Sequence, residues 1–171
     1  MYQKGDYVVY GTNGPCMVED VTKLKIPGCD AKRFYYVLRP VNTGKSVIYS
    51  PVDNKKVTIR PVLNEEEAND LLQEIPEIAH LQIESEKLRE ETYKTVLHDC
   101  DQRRWIGLMK VLCTRRRARQ EQGRKFTTVD ERYLKETEDL LERELSIALG
   151  KDVETVKEML SSQLEGSTTA G

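Results

Sequence analysis

Residues 4–21, KGDYVVYGTNGPCMVEDV, decide the fold class of the opening part of this chain. Two runs rich in Val and Tyr flank Thr12-Asn13-Gly14-Pro15, a composition that punctuates a chain rather than continuing a helix or a strand. β-Branched and aromatic residues suit a pleated, half-buried surface, so residues 6–10 (DYVVY) and 16–26 (CMVEDVTKLKI) read as strands. Outward from them the pattern repeats at residues 33–39 (RFYYVLR), 46–50 (SVIYS) and 57–60 (VTIR), divided by Pro27-Gly28, Asn42-Thr43-Gly44 and Asp53-Asn54. Five short strands with tight turns predict a small antiparallel β-barrel or strongly bent sheet, closed only in part. An edge strand then stays available for pairing with another protein. Residues 41–45 read as a hairpin turn in which Gly44 supplies the positive φ.

From Asn64 the period changes. Asn64-Glu65-Glu66-Glu67 is a capping signal, with a side-chain acceptor, a Glu three residues on and acids in the first turn. That helix is expected to stop near Ile75-Pro76. A second is predicted over residues 77–98, with Ile78, Leu81, Leu88, Val96 and Leu97 apolar, and a third begins after a cap at Asp99 or Asp101. Gly123 ends it. Thr128-Val129-Asp130-Glu131 reads as a capping box for a fourth helix through about Leu149, Gly150 stops that one, and Asp152 caps a short fifth helix. The predicted class is therefore α+β by domain: a β-barrel over residues 1–63, an acidic first helix or linker over 64–76, a helical domain over 77–164 and a flexible tail over 165–171.

Charge is laid down in blocks. Residues 1–63 hold ten bases and five acids, 64–85 seven acids and no base, 86–125 twelve bases and six acids, and 126–171 five bases and eleven acids. Alternation of this kind marks separate surfaces. The sharpest block is residues 103–125, with nine basic residues against one acid, Glu121. Trp105, Ile106, Leu108, Met109, Leu112 and Cys113 recur there at helical spacing, so this helix must pack on one side and present positive charge on the other. One account is intramolecular, with Arg115, Arg116, Arg117 or Arg119 paired to acids of the fourth helix such as Glu138 or Glu142. Exposed ion pairs contribute only about 0–1 kcal/mol each, a weak reason to concentrate so many cations. Phosphate contacts explain them more directly. With no aromatic residues interleaved, duplex-backbone binding fits better than single-strand stacking.

Other classes are excluded or disfavoured. No run of about 18 apolar residues exists, and the opening MYQKGDYVVY lacks a signal-peptide core, so no membrane role and a cytoplasmic setting are expected. Cys16, Cys29, Cys100 and Cys113 form no CxxC pair, and His80 and His98 fall in helical stretches, so neither a metal nor another cofactor is expected. No GxxxxGK, GxSxG or HExxH motif is present, and the reading is non-enzymatic, with no small-molecule substrate.

Residues 4–21 resemble the opening of the CarD/CdnL family of bacterial transcription regulators: a Gly-Asp pair, a Val-Val-Tyr triplet, a glycine soon after, then a Val-Glu run. Residues 46–54 (SVIYSPVDN) and 57–62 (VTIRPV) resemble its later strands, and the module is also similar to the polymerase-interacting domain of transcription-repair coupling factors. Residues 123–150 (GRKFTTVDERYLKETEDLLERELSIALG) resemble the family's helical half. The resemblance implies a Tudor- or SH3-like barrel that docks on the RNA polymerase β subunit by strand pairing. It also implies a helical domain that contacts promoter DNA upstream of the melted bubble and modulates open-complex stability, in a protein that follows polymerase to the nucleoid. For the polymerase contact the residues expected are Lys23, Leu24, Lys25, Ile48, Tyr49 and Pro51, with Leu24 and Tyr49 standing where family members place arginines. For DNA they are Arg89, Lys94, Arg103, Arg104, Arg115, Arg116, Arg119, Arg124 and Lys125. The family's wedge tryptophan precedes a Tyr-Lys pair that matches Tyr93-Lys94. Here that position is Arg89, and Trp105 lies in the next helix's apolar stripe, where it is expected as core. The alternative function is a protein-interaction module that docks on polymerase or another protein without DNA contact.

Overall fold

A computed structural model describes residues 1–41 and 43–169, which form two compact units, Met1–Val62 and Leu63–Gly171. In the first, β1 (Tyr7–Tyr10), β2 (Pro15–Lys23), β3 (Phe34–Pro40), β4 (Ile48–Pro51) and β5 (Ile59–Pro61) make one antiparallel sheet in the order β4-β3-β2-β1-β5. Alternation along the strands sends Val8, Tyr10, Cys16, Val18, Tyr36 and Leu38 into one core, where all are buried. Gly14 adopts φ 74° ahead of Pro15, a left-handed conformation that side chains resist, and so sets the β1–β2 turn. Gly44 has the positive φ expected of it, 65°, while Asn42 of the same turn lies outside the described residues.

The expected barrel is corrected to an open sheet. β4 and β5 are its two edges and do not pair with each other. Closure needs a ladder between them, but they have only four and three residues and each ends on a proline, which has no N–H to give. β2 also stops at Lys23, leaving Leu24–Ile26 of the longer predicted strand in the connection before β3.

The second unit is helical: α1 (Glu65–Glu74), α2 (Arg89–Asp99), α3 (Gln102–Glu121), α4 (Thr128–Leu149) and α5 (Val153–Thr169). The Asn64 side chain accepts from the Glu67 N–H at 2.8 Å, capping α1 as its sequence predicts. Asp101 caps α3 through the N–H groups of Arg103 and Arg104. α3 buries Trp105, Ile106, Leu108, Met109 and Leu112, and the Trp105 indole N–H donates to the Val96 carbonyl at 3.1 Å.

Three boundaries differ from expectation. The helix predicted over residues 77–98 begins only at a 3₁₀ turn over Glu86–Leu88. The preceding stretch instead crosses α3, where the Leu81 N–H donates to the Gly107 carbonyl at 3.0 Å. A Cβ at Gly107 would lie 2.9 Å from the Ala79 carbonyl oxygen, so only glycine lets the two backbones approach. The cap of α4 is Thr127 rather than Thr128, which places Asp130 at the third helical position. α5 continues to Thr169 through part of the stretch expected as tail, while Ala170 and Gly171 lie outside the described residues.

Candidate functional site

The edge strand β4 carries three of the six residues expected at a polymerase contact: Ile48, Tyr49 and Pro51. The Val52 N–H donates to the Phe34 carbonyl at 3.1 Å, so by two-residue alternation Ser50 and Ile48 also turn their backbone groups toward β3. Tyr49 and Pro51 turn theirs outward. Pro51 has no N–H, and its carbonyl accepts from the Asn54 N–H at 3.0 Å within a turn. Tyr49 is therefore the position on β4 with an outward N–H, and its side chain is 43% exposed.

The other edge is arranged alike. Gly11 N–H to Thr58 carbonyl (2.8 Å) and Val62 N–H to Tyr7 carbonyl (3.2 Å) set the phase, turning Ile59 and Pro61 of β5 outward. The Pro61 carbonyl accepts from Arg60 Nη1 at 3.1 Å. The remaining predicted residues lie elsewhere. Lys23 ends β2, pairs opposite Phe34 and holds its ammonium 5.2 Å from that ring, while Leu24 and Lys25 follow in the connection. The structure thus separates the six into an edge group and a group at the tip of the β2–β3 hairpin.

Within the helical unit, the expected DNA-contacting cations divide by what holds them. Arg103 grips Glu74 with a two-pronged contact at 2.8 and 3.0 Å, Arg104 pairs with Asp99, and Lys94 lies 3.7 Å from Glu91. Arg115 is held by Glu86 and by fully buried Asp130, whose carboxylate also receives Arg89. Arg119 donates to the Lys125 carbonyl at 2.7 Å. Arg116, Arg117, Arg124 and Lys125 are exposed and, among the described residues, make no side-chain ion pair. Where arginines of α3 do pair across the unit, the acids are Glu74, Glu86 and Asp130, rather than the predicted Glu138 or Glu142.

Residues 2–63 match the family model of the CarD-like/TRCF RID domain. The N-terminal unit is similar to this domain. This family is the RNA polymerase-interacting domain of CarD-like proteins, a protein-interaction domain that binds the β subunit. Comparison of the whole chain with curated proteins gives no match. The match covers the strand-rich unit and stops where the acidic cap of α1 begins, and it supports RNA polymerase interaction in a transcription-related protein.

Outside the matched residues, Lys110 carries a role that charge counting misses. It is buried, and its ammonium donates to the carbonyls of Ile75 and Ile78 where α1 gives way to extended chain. Burial lowers its pKa. Its signal was present in the sequence, since Lys110 falls among the apolar residues of α3 and not on the charged face. Among the described residues no helix is long and apolar enough to cross a membrane, and no group of three or more His, Cys, Asp or Glu is placed to hold a metal ion.

Proposed function

We propose that this protein regulates transcription by adding the β4 edge of its RID domain to a strand of the polymerase β subunit. The observation that carries this reading is Tyr49: its outward N–H and carbonyl form an open rung on an edge otherwise blunted by Pro51. A partner strand would form its main-chain bonds there, with the exposed Tyr49 ring beside it. Ile48 and Pro51 flank the rung, while Lys23, Leu24 and Lys25 would serve a second contact at the hairpin tip. The helical unit would then lay Arg116, Arg117, Arg124 and Lys125 on the backbone of upstream promoter DNA. Arg89, Lys94, Arg103, Arg104, Arg115 and Arg119 would have to share or exchange their present partners to join them. Tethering through polymerase raises the local DNA concentration, so weak contacts suffice, and open-complex lifetime shifts toward whichever promoter state is contacted more.

The second reading, a protein-interaction module without DNA contact, is favoured by the internal pairing of Arg103, Arg104 and Arg115. Capture of purified RNA polymerase by the full chain tests the docking edge. Tyr49→Ala keeps both backbone groups and should retain most binding. Tyr49→Pro deletes the outward N–H while leaving the ladder to β3 intact, and should weaken capture at least about tenfold, as loss of 1.4 kcal/mol does. Equal capture by wild type and Tyr49→Pro would remove the strand-addition reading.

A further inference from the structure

On α4, Glu138 and Glu142 stand one turn apart and line a groove of about 840 Å³. Its other walls include Arg116 from α3, Phe126 ahead of α4 and Lys157 from α5, with Leu134 on the floor. Glu142 is only 9% exposed, yet among the described residues its carboxyl makes no hydrogen bond or ion pair. Glu138, partly buried, makes none either. Carboxylates at this spacing repel one another, and the burial of most of Glu142 adds a desolvation cost even though its carboxyl oxygens still open onto the groove. The neighbouring cations relieve this only in part: Lys157 pairs with Glu154 at 3.5 Å and Arg132 with Glu90 at 3.1 Å, and among the described residues neither Arg116 nor Lys135, which also lines the groove, forms an ion pair with either carboxylate.

Donor geometry narrows the ligand. A metal ion would need three or more converging His, Cys, Asp or Glu, and the described residues provide no such group. An anion would lie against Glu142. Ammonium groups joined by a methylene chain meet both requirements: N–H donors for two carboxylates whose Cβ atoms are about 5–6 Å apart, and apolar surface for Phe126 and Leu134. We propose that this groove binds an aliphatic di- or polyamine, whose ammonium groups donate to Glu142 and Glu138. Burial pushes Glu142 up to about 7 and raises Glu138, as expected of carboxyls left without a donor. Arg116 and Lys157 lower Glu138 and Lys157 lowers Glu142, while Glu138, Asp139 and Glu154 push Glu142 further up.

Titration calorimetry of the full chain with spermidine at moderate salt tests this. Saturable binding is expected at pH 8, weakened at least about tenfold by Glu142→Gln. Glu65→Gln with Glu66→Gln, which removes acids from the exposed first turn of α1, should leave it unchanged. Going from pH 8 to pH 6 should weaken the wild type, as Glu142 takes up a proton, and affect Glu142→Gln much less. In wild-type protein, spermidine should shift the NMR signals of Phe126 and Leu134, a readout independent of any variant's folding. No saturable binding, equal losses in the α1 and α4 variants, or shifts confined to α1 would each overturn the proposal.

Discussion

Arg115 of α3 donates its Nε–H to Asp130 Oδ2 at 2.9 Å, and Asp130, at the start of α4, has no exposed surface. The same carboxylate accepts from the Tyr93 hydroxyl at 3.0 Å and from Arg89 Nε at 3.4 Å, so α2, α3 and α4 meet on one buried charge. Arg115 extends the network by gripping Glu86 at 2.7 and 3.1 Å. Burial alone would push the Asp130 carboxyl up, but the bonds from Arg115 and Tyr93 outweigh it and hold the pKa below the ordinary value. An arginine in the middle of a basic run is here a packing element of the helical unit.

Asp130→Ala should therefore destabilise the helical unit by about 3–5 kcal/mol, because Arg115 and Tyr93 lose a buried acceptor while Arg115 keeps its charge. Urea unfolding of the full chain, followed at Trp105, measures it. The pKa of Asp130 is depressed in the folded state, so its contribution is present above the unfolded value of about 3.9 and is lost as pH falls through the folded value. Wild type should lose stability in that acid range more steeply than Asp130→Ala.

Gly107→Ala should cost about 1–3 kcal/mol, the range for overpacking. The added methyl would meet the Ala79 carbonyl oxygen at 2.9 Å and the Leu81 nitrogen at 3.3 Å, both backbone atoms. Thermal unfolding would show the loss, and weakened protection of the Leu81 amide in hydrogen exchange would localise it.

Glu142→Gln should stabilise the ligand-free protein at alkaline pH. A carboxyl raised to about 7 in the folded state favours folding while protonated, and that contribution is lost as pH rises from the unfolded value through 7. With the carboxyl oxygens open to the groove, the gain at pH 8 should be about 1 kcal/mol, or roughly 2–4 °C in Tm, and should vanish near pH 4. Paired melting curves at the two pH values check the sign.

Changing Arg116, Arg117 and Arg124 to Glu together should lower promoter-DNA affinity and flatten its salt dependence, each lost phosphate contact reducing the slope by about 0.9. Polymerase capture should be unaffected. Mobility shifts of the full chain at several salt concentrations give the slope, and an unchanged slope would favour the module without DNA contact.

Much of the architecture was legible because it is written in local chemistry. Val and Tyr alternation located all five strands to within a few residues, and Asn64, Asp101, Gly123, Gly150 and Asp152 marked helix ends through groups that act on their own neighbours. The break before Glu86 was not legible. It depends on Gly107 and Lys110, about thirty residues downstream, offering a close backbone approach and two hydrogen bonds to residues 75–81. The run of cations was equally plain in sequence, but which of them face solvent was not.

The sequence by itself determined the resemblance of residues 2–63 to the RID domain through its motifs, and the β-then-α order and the concentration of charge on α3 through composition and short-range periodicity. Only tertiary structure decided that the sheet stays open, that Tyr49 holds the outward rung of β4, that Arg115 is spent on Asp130 and that, among the described residues, the Glu142 carboxyl faces its groove without a hydrogen-bond partner. Those outcomes depend on which distant groups come within about 3 Å, because hydrogen bonds and desolvation act at that range and sequence spacing does not report it.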